Sequence, residues 1–182
     1  MGSMYPKISS ELADWIAKQK MFFVATAPLA GDGLINCSPK GGDTFRIIDP
    51  QTVAYQDLTG SGAETIAHLR ENGRLVIMFC AFEGSPLIVR LYGTGEILLP
   101  EHPDYSALIG FFPVNAGTRS IIRLRVSRVS DSCGMSVPYL AFQGNREDLN
   151  EWAESKGPGK LVEYRQKKNV KSIDGLPAID FT

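Results

Sequence analysis

A chain of 182 residues, 43% of them hydrophobic, is long enough to bury one sizeable core without help from disulfides. Its formal net charge of -1 excludes the broad basic surface that nucleic-acid binding uses, so any anion site has to be local. Cys37, Cys80 and Cys133 are odd in number and lack CxxC spacing, which argues against a disulfide framework or a zinc site and fits a reducing cytosol. No apolar run approaches the roughly 20 residues needed to span a bilayer, and the N-terminus lacks the charged-then-apolar pattern of a signal peptide. The expectation is a cytoplasmic protein with no membrane or nucleic-acid partner.

Leu12, Trp15 and Ile16 recur at helical spacing behind Ser9 or Ser10 as caps, predicting an amphipathic helix over residues 9–19. "MFFVATAP" and "GLINCSPKG" read as two antiparallel strands joined at the Gly-Asp-Gly of "LAGDG". "FRIID" and "TVAYQDL" form a second hairpin through Asp49-Pro50-Gln51. In "GSGAETIAHLRENG" the period changes, placing Ala63, Ile66, Ala67 and Leu69 on one helix face with Gly73 as the stop. "RLVIMFCAF" is apolar on both faces and reads as a strand buried in the middle of the sheet.

In "LIVRLYGTGEIL", Leu87, Val89, Leu91 and Ile97 alternate with Arg90, Tyr92, Thr94 and Glu96, and Gly93 and Gly95 leave room for close backbone approach. "SIIRLRVSRVS" alternates until Arg128 and Val129 break the parity, which predicts a bulge. Six or so hairpin-linked strands with one inserted helix read as a small antiparallel barrel. Residues 1–182 form one expected domain. From about residue 145 a helical appendage follows, with Leu149 and Trp152 in one segment and Leu161, Val162 and Tyr164 in another.

Two stretches carry chemistry. Ser38-Pro39-Lys40-Gly41 offers a hydroxyl, a cation and open backbone amides, the components of an anion site, although the plainer reading is a polar hairpin end. Thr59-Gly60-Ser61-Gly62 opens the helix, where free N–H groups and the macrodipole favour phosphate; the plainer alternative is a Ser61–Glu64 capping box that occupies those groups. Together the two stretches could bracket one phosphate. His68 and His102 read as surface histidines, Arg123 and Arg125 as a solvated strand face, and Cys133 as either a small buried residue or a reactive thiol. Trp152 and Tyr164 read as helix-packing residues.

With "NCSPKGG", "VAYQDLTGSGAETIAHLRENGRLVIMF", "RLYGTGEIL", "SCGMSVPYL" and "YRQKKNVKSIDGLPAID" the chain resembles the pyridoxamine 5'-phosphate oxidase-like family of flavin mononucleotide (FMN)-binding split barrels, over about residues 22–175. The resemblance implies a six-stranded antiparallel split β-barrel and a homodimer with FMN at its interface. It implies that Ser38 and Lys40 hold the flavin phosphate from one side and Ser61 and Gly62 from the other, with Gly41 and Thr59 as further cofactor-binding positions. Tyr55, Gln56 and Asp57 would then lie along the ribityl or ring portion, largely through backbone groups, and Arg90 would line the same groove. Asn36-Cys37-Ser38-Pro39-Lys40 departs from the arginine-led strand of the true oxidases, and "LPAIDFT" departs from their C-terminal motif. What the resemblance implies is therefore an FMN-dependent oxidoreductase acting on another small molecule, or a flavin carrier or sensor, or a binder of haem or deazaflavin in the same groove.

Overall fold

A computed structural model describes residues 2–181; Met1 and Thr182, the ends of the expected 1–182 unit, lie outside it. Twelve elements occur among the described residues: β1 (Met4–Tyr5), α1 (Ser10–Ala17), β2 (Met21–Thr26), β3 (Asn36–Gly41), β4 (Phe45–Asp49), β5 (Thr52–Leu58), α2 (Glu64–Asn72), β6 (Arg74–Cys80), β7 (Ile88–Leu98), α3 (Tyr105–Ile109), β8 (Thr118–Ser132) and α4 (Asp148–Lys168). The sheet is antiparallel throughout and runs β3-β2-β6-β7-β8-β5-β4, with β1 added against β8. Seven strands form the path where six were expected; each of the seven is a segment that the pattern marks, and β1 adds a short eighth strand off the path. The architecture is the expected split barrel.

The curl of the sheet follows from its connectivity. β3 and β4 are the two ends of the path yet are consecutive in the chain, joined by only Gly42, Asp43 and Thr44. Gly42 takes the left-handed conformation, φ 68°, that a turn this tight requires of a residue without a Cβ. Thr44 then offers its carbonyl to the Gln56 N–H at 2.8 Å. The edges thus meet at a seam, with the β3 end set against β5.

The long strands bend where predicted. Ser127 is the extra residue opposite the Tyr92–Gly93 step, since Tyr92 pairs with Arg128 and Gly93 with Val126. A Cβ on Gly93 would run into the Arg125 carbonyl, and one on Gly95 would stand 2.6 Å from Leu69 Cδ2, so both glycines admit close neighbours. Inside, Val24, Val53, Tyr55, Ile66, Ile77, Leu91, Ile122 and Leu124 are fully buried, and Phe22, Phe45, Tyr55 and Phe79 pack ring on ring at 5.0–5.8 Å.

Four expectations are corrected. β6 is not buried on both faces: Leu75, Ile77 and Phe79 point inward, whereas Val76 and Met78 stay half-buried on an outward face. His68 is not a surface residue but 0% exposed, because α2 is covered on the sheet side and again by the C-terminal segment, whose Ile173 N–H donates to Glu64 Oε1 at 3.3 Å. Cys133 is exposed rather than buried, since it leaves β8 for the surface. Arg123 is not solvated: it pairs with Glu96 at 2.6 Å and Asp104 at 2.8 Å.

The C-terminal part is helical in two segments, as the pattern indicated. The helical path through α4 is broken at Gly157, φ 70° and ψ 165°, just before Pro158, so the chain turns there and Trp152 meets Tyr164 edge to face at 5.0 Å.

Candidate functional site

β3 pairs with β2 so that Asn36 faces Thr26, Ser38 faces Val24 and Lys40 faces Phe22. Residues opposite one another share a face, and Val24, Phe22 and Thr26 are buried, so the three polar residues of β3 all turn inward while Cys37, Pro39 and Gly41 turn out. An apolar strand would close this side of the barrel with side chains; this one lines it with hydrogen-bonding groups. Ser38 Oγ donates to Asn36 Oδ1 at 3.0 Å, and Asn36 Nδ2 donates to Thr65 Oγ1 at 3.1 Å in the first turn of α2. Thr26 Oγ1 shares a hydrogen bond of 2.9 Å with His68 Nδ1, and burial holds the His68 imidazole below its ordinary pKa.

Lys40 ends the row at the seam. Its ammonium, on a side chain 26% exposed, stands 3.9 Å from Asp57 Oδ1 on β5, a loose approach rather than a closed hydrogen bond. Asp57 is committed elsewhere: Arg119 Nε donates to Oδ2 at 2.7 Å and Ser120 Oγ donates to the same oxygen at 3.0 Å. Burial pushes the Asp57 carboxyl up, but the Arg119 guanidinium and then Lys40, with these hydrogen bonds, hold it below its ordinary value. A carboxyl depressed in the folded state contributes stability that is complete above its unfolded pKa of about 3.9 and is lost as pH falls through the folded value. The urea midpoint should therefore stay level near neutrality and fall steeply below about pH 4, and Asp57→Asn should flatten that fall. An unchanged acid limb in the variant would show that other carboxylates govern it.

The turn ahead of α2 is open where the sequence suggested closure. The helix begins at Glu64 with Ala63 as N-cap, and no side chain caps it. Ser61 is exposed and makes no side-chain hydrogen bond among the described residues, so the Ser61–Glu64 capping box is absent. The reason is register: a box needs its hydroxyl residue at the N-cap, and the helix starts two residues too late for Ser61 to fill it. The N-cap residue thus supplies no side-chain acceptor to the first-turn N–H groups at the positive end of the helix dipole, while the Glu64 carboxylate folds back beside Gly62, where a Cβ would meet its Oε2. Nearby, the Tyr55 hydroxyl is wholly buried, and burial followed by the Asp57 charge pushes its phenol well above the ordinary pKa.

A groove of about 1380 Å³ opens from this seam. Lys40, Gly41, Gln56 and Gly60 line one end, and Trp15, Phe82 and Phe142 supply apolar wall further along. Its volume exceeds the roughly 300–1,000 Å³ of ordinary ligand pockets. Gln56 Nε2 is fixed by Pro113 O at 3.0 Å and Thr118 Oγ1 at 2.8 Å, while its buried Oε1 has no partner. Asp57, Tyr55 and Thr59 are buried, so they lie behind the groove and reach it through backbone at most. Arg90 is not brought to it: Val89 and Leu91 take the inward positions of β7, which leaves Arg90 outward, donating to Ser132 Oγ at 3.1 Å.

Two residues of this region are not marked by the sequence pattern. Arg119 binds Asp57 and donates from Nη1 to the Gly62 carbonyl at 2.8 Å. Arg165 on α4 donates from Nε to Thr59 Oγ1 at 2.8 Å. A lone carboxylate inside the apolar run "TVAYQDL" is the one signal for the first, because a buried charge demands a partner. Arg165 is 106 residues from Thr59, and nothing local marks it.

The structure is thus an antiparallel split barrel with the Lys40 ammonium at its seam and a helix start that has no side-chain N-cap. The model of the pyridoxamine 5'-phosphate oxidase family matches residues 8–133, and the chain belongs to that family. A curated relative, the pyridoxamine 5'-phosphate oxidase family protein ustO of Aspergillus flavus, is 40% identical over 98% of this chain and 78% of its own length. Among solved structures, HupZ from Group A Streptococcus is similar at 26% identity and a TM-score of 0.51, covering 67% of this chain and 91% of that one. A candidate pyridoxamine 5'-phosphate oxidase from Lactobacillus delbrueckii shares the fold at 15% identity and a TM-score of 0.53, over 69% and 94% of the two chains. None of the described helices is long and apolar enough to cross a membrane.

Proposed function

We propose that the chain binds FMN, with the phosphate between Lys40 and the first turn of α2 and the ring system in the groove, and that it serves as an oxidoreductase for a small molecule. The observation that carries the reading is the pairing of a loosely held ammonium with an uncapped helix start. Backbone N–H groups at a helix start and one flexible cation are what a phosphate dianion needs. Gly41 at the end of β3 keeps the approach clear. Ser38, now donating to Asn36, is within the same inward row and can turn its hydroxyl to the phosphate. When bound, flavin supplies a reversible acceptor for a hydride or for single electrons; the chain's part is to bind, orient and shield it.

A homodimer of single-domain chains in the cytoplasm is part of this proposal. Phe23 and Ala25 of β2 and Val76 and Met78 of β6 form a half-buried apolar row on the outward face, next to exposed Tyr92 of β7. A second copy covering that row would bury it. Sizing should give about 40 kDa, twice one chain.

Titration followed by flavin fluorescence tests the reading. Stoichiometric FMN binding, tighter than riboflavin by at least about tenfold, is expected, because the phosphate contributes charge-assisted contacts. No binding, or equal affinity for the two flavins, would sink it. Oxidation of a reduced nicotinamide with an added acceptor then separates an enzyme from a carrier.

A further inference from the structure

We propose that Arg165 is a positioning residue for the phosphate-binding turn, so that the C-terminal end of α4 is part of the cofactor site rather than an appendage to it. The proposal rests on the FMN reading and assigns this chain's own means of holding that turn.

Side chains from outside grip the turn Thr59–Gly62 at successive acceptors. Arg165 Nε donates to Thr59 Oγ1 at 2.8 Å and its Nη2 to Thr118 O at 2.9 Å, which ties the turn to β8. Asn169 Nδ2, one turn further on, donates to Gly60 O at 3.0 Å, and Arg119 Nη1 donates to Gly62 O at 2.8 Å. The consequence lies in peptide geometry. In a trans peptide the C=O of one residue and the N–H of the next point in opposite directions, and no cis peptide bond is present among the described residues. Holding Gly60 O therefore aims the Ser61 N–H away from Asn169, and holding Gly62 O aims the Ala63 N–H away from Arg119. The grip turns these carbonyls back into the protein and the N–H groups to the opposite side, where Ser61 is exposed although Ala63 is buried, and a donor turned to the exposed side is what an anion-binding nest requires.

Charge points the same way. Lys40, Arg119 and Arg165 stand near the turn against Asp57 and Glu64, a surplus of one positive charge among these five groups. Arg165 donates to Thr59 Oγ1 and to the carbonyls of Gly117 and Thr118, all neutral oxygens, so its charge is not matched by a carboxylate in direct contact. Its half-buried guanidinium would be a poor choice for packing alone, since burial and the neighbouring Arg119 both act against its charged form. A dianionic phosphate at the turn would balance it.

The test compares FMN and riboflavin affinities of the wild-type chain, Arg165→Met and Arg165→Lys, with thermal unfolding of each. Arg165→Met should weaken FMN about tenfold and riboflavin by less than about twofold, because only the phosphate feels the turn. Arg165→Lys, which keeps the charge but loses the two-pronged fork, should weaken FMN about threefold. Equal losses for both flavins, or no loss for FMN, overturn the proposal and leave the FMN reading standing; a wild-type chain that binds no FMN overturns both. Where Arg165→Met does not fold, Arg165→Lys decides by the same ratio.

Discussion

Arg119→Met should cost about 3–5 kcal/mol of folding stability, because it leaves the Asp57 carboxylate buried without its close partner. Asp57 is 1% exposed, and what would remain is Ser120 at 3.0 Å and Lys40 at 3.9 Å, one neutral donor and one cation too distant for a closed hydrogen bond. Against a total of about 5–15 kcal/mol for a typical domain, this is a large fraction. The variant also frees the Gly62 carbonyl, so the turn ahead of α2 loosens together with the core. Urea unfolding measures the loss. Replacing both partners, Arg119→Met with Asp57→Leu, should recover most of it, since an apolar pair of similar volume has no buried charge to compensate. A single variant within about 1 kcal/mol of the wild type would mean that Lys40 closes onto Asp57 and takes over the pairing.

Lys40→Ala is the second large effect, and it falls on binding rather than folding. The ammonium is part-exposed at a strand end and makes one loose ion pair, so its loss should leave the unfolding midpoint almost unchanged. A charge-assisted contact to phosphate is worth about 1.5–3 kcal/mol, so FMN should weaken roughly ten- to a hundredfold. Riboflavin, which has no phosphate, should be affected far less. Equal losses for both flavins would make Lys40 a groove-lining residue that touches the ring or ribityl portion instead.

Sequence pattern reveals what is local. Alternation in "LIVRLYGTGEIL" places Val89 and Leu91 inside, and the broken parity after Val126 locates the bulge at Ser127, because both depend only on the two-residue period of a strand. Lys40 and the Thr59–Gly62 turn stand out because cations, hydroxyls and glycines at element ends have a chemistry of their own. What stays hidden depends on contacts across the chain. Helical periodicity gives α2 one buried face, yet residues Thr65 to Leu69 are all buried, because the segment after Asn169 covers the other side and no local pattern announces that cover. His68 is misplaced for that reason. Ser61 satisfies the spacing of a capping box, but the box depends on where the helix starts, and boundaries are the weakest product of periodicity. Arg90 is put in the groove by the resemblance alone; the alternation that places Val89 and Leu91 inside already puts it on the outer face of β7.

The most direct test of FMN binding at the seam is a crystal structure of the FMN-loaded protein. Phosphate oxygens should lie within about 3 Å of Lys40 Nζ and of N–H groups in the first turn of α2, with the ring system in the groove beside Gln56. A flavin whose phosphate lies on the outward face of β7 near Arg90, with Lys40 still turned to Asp57 and the α2 start free, would contradict it.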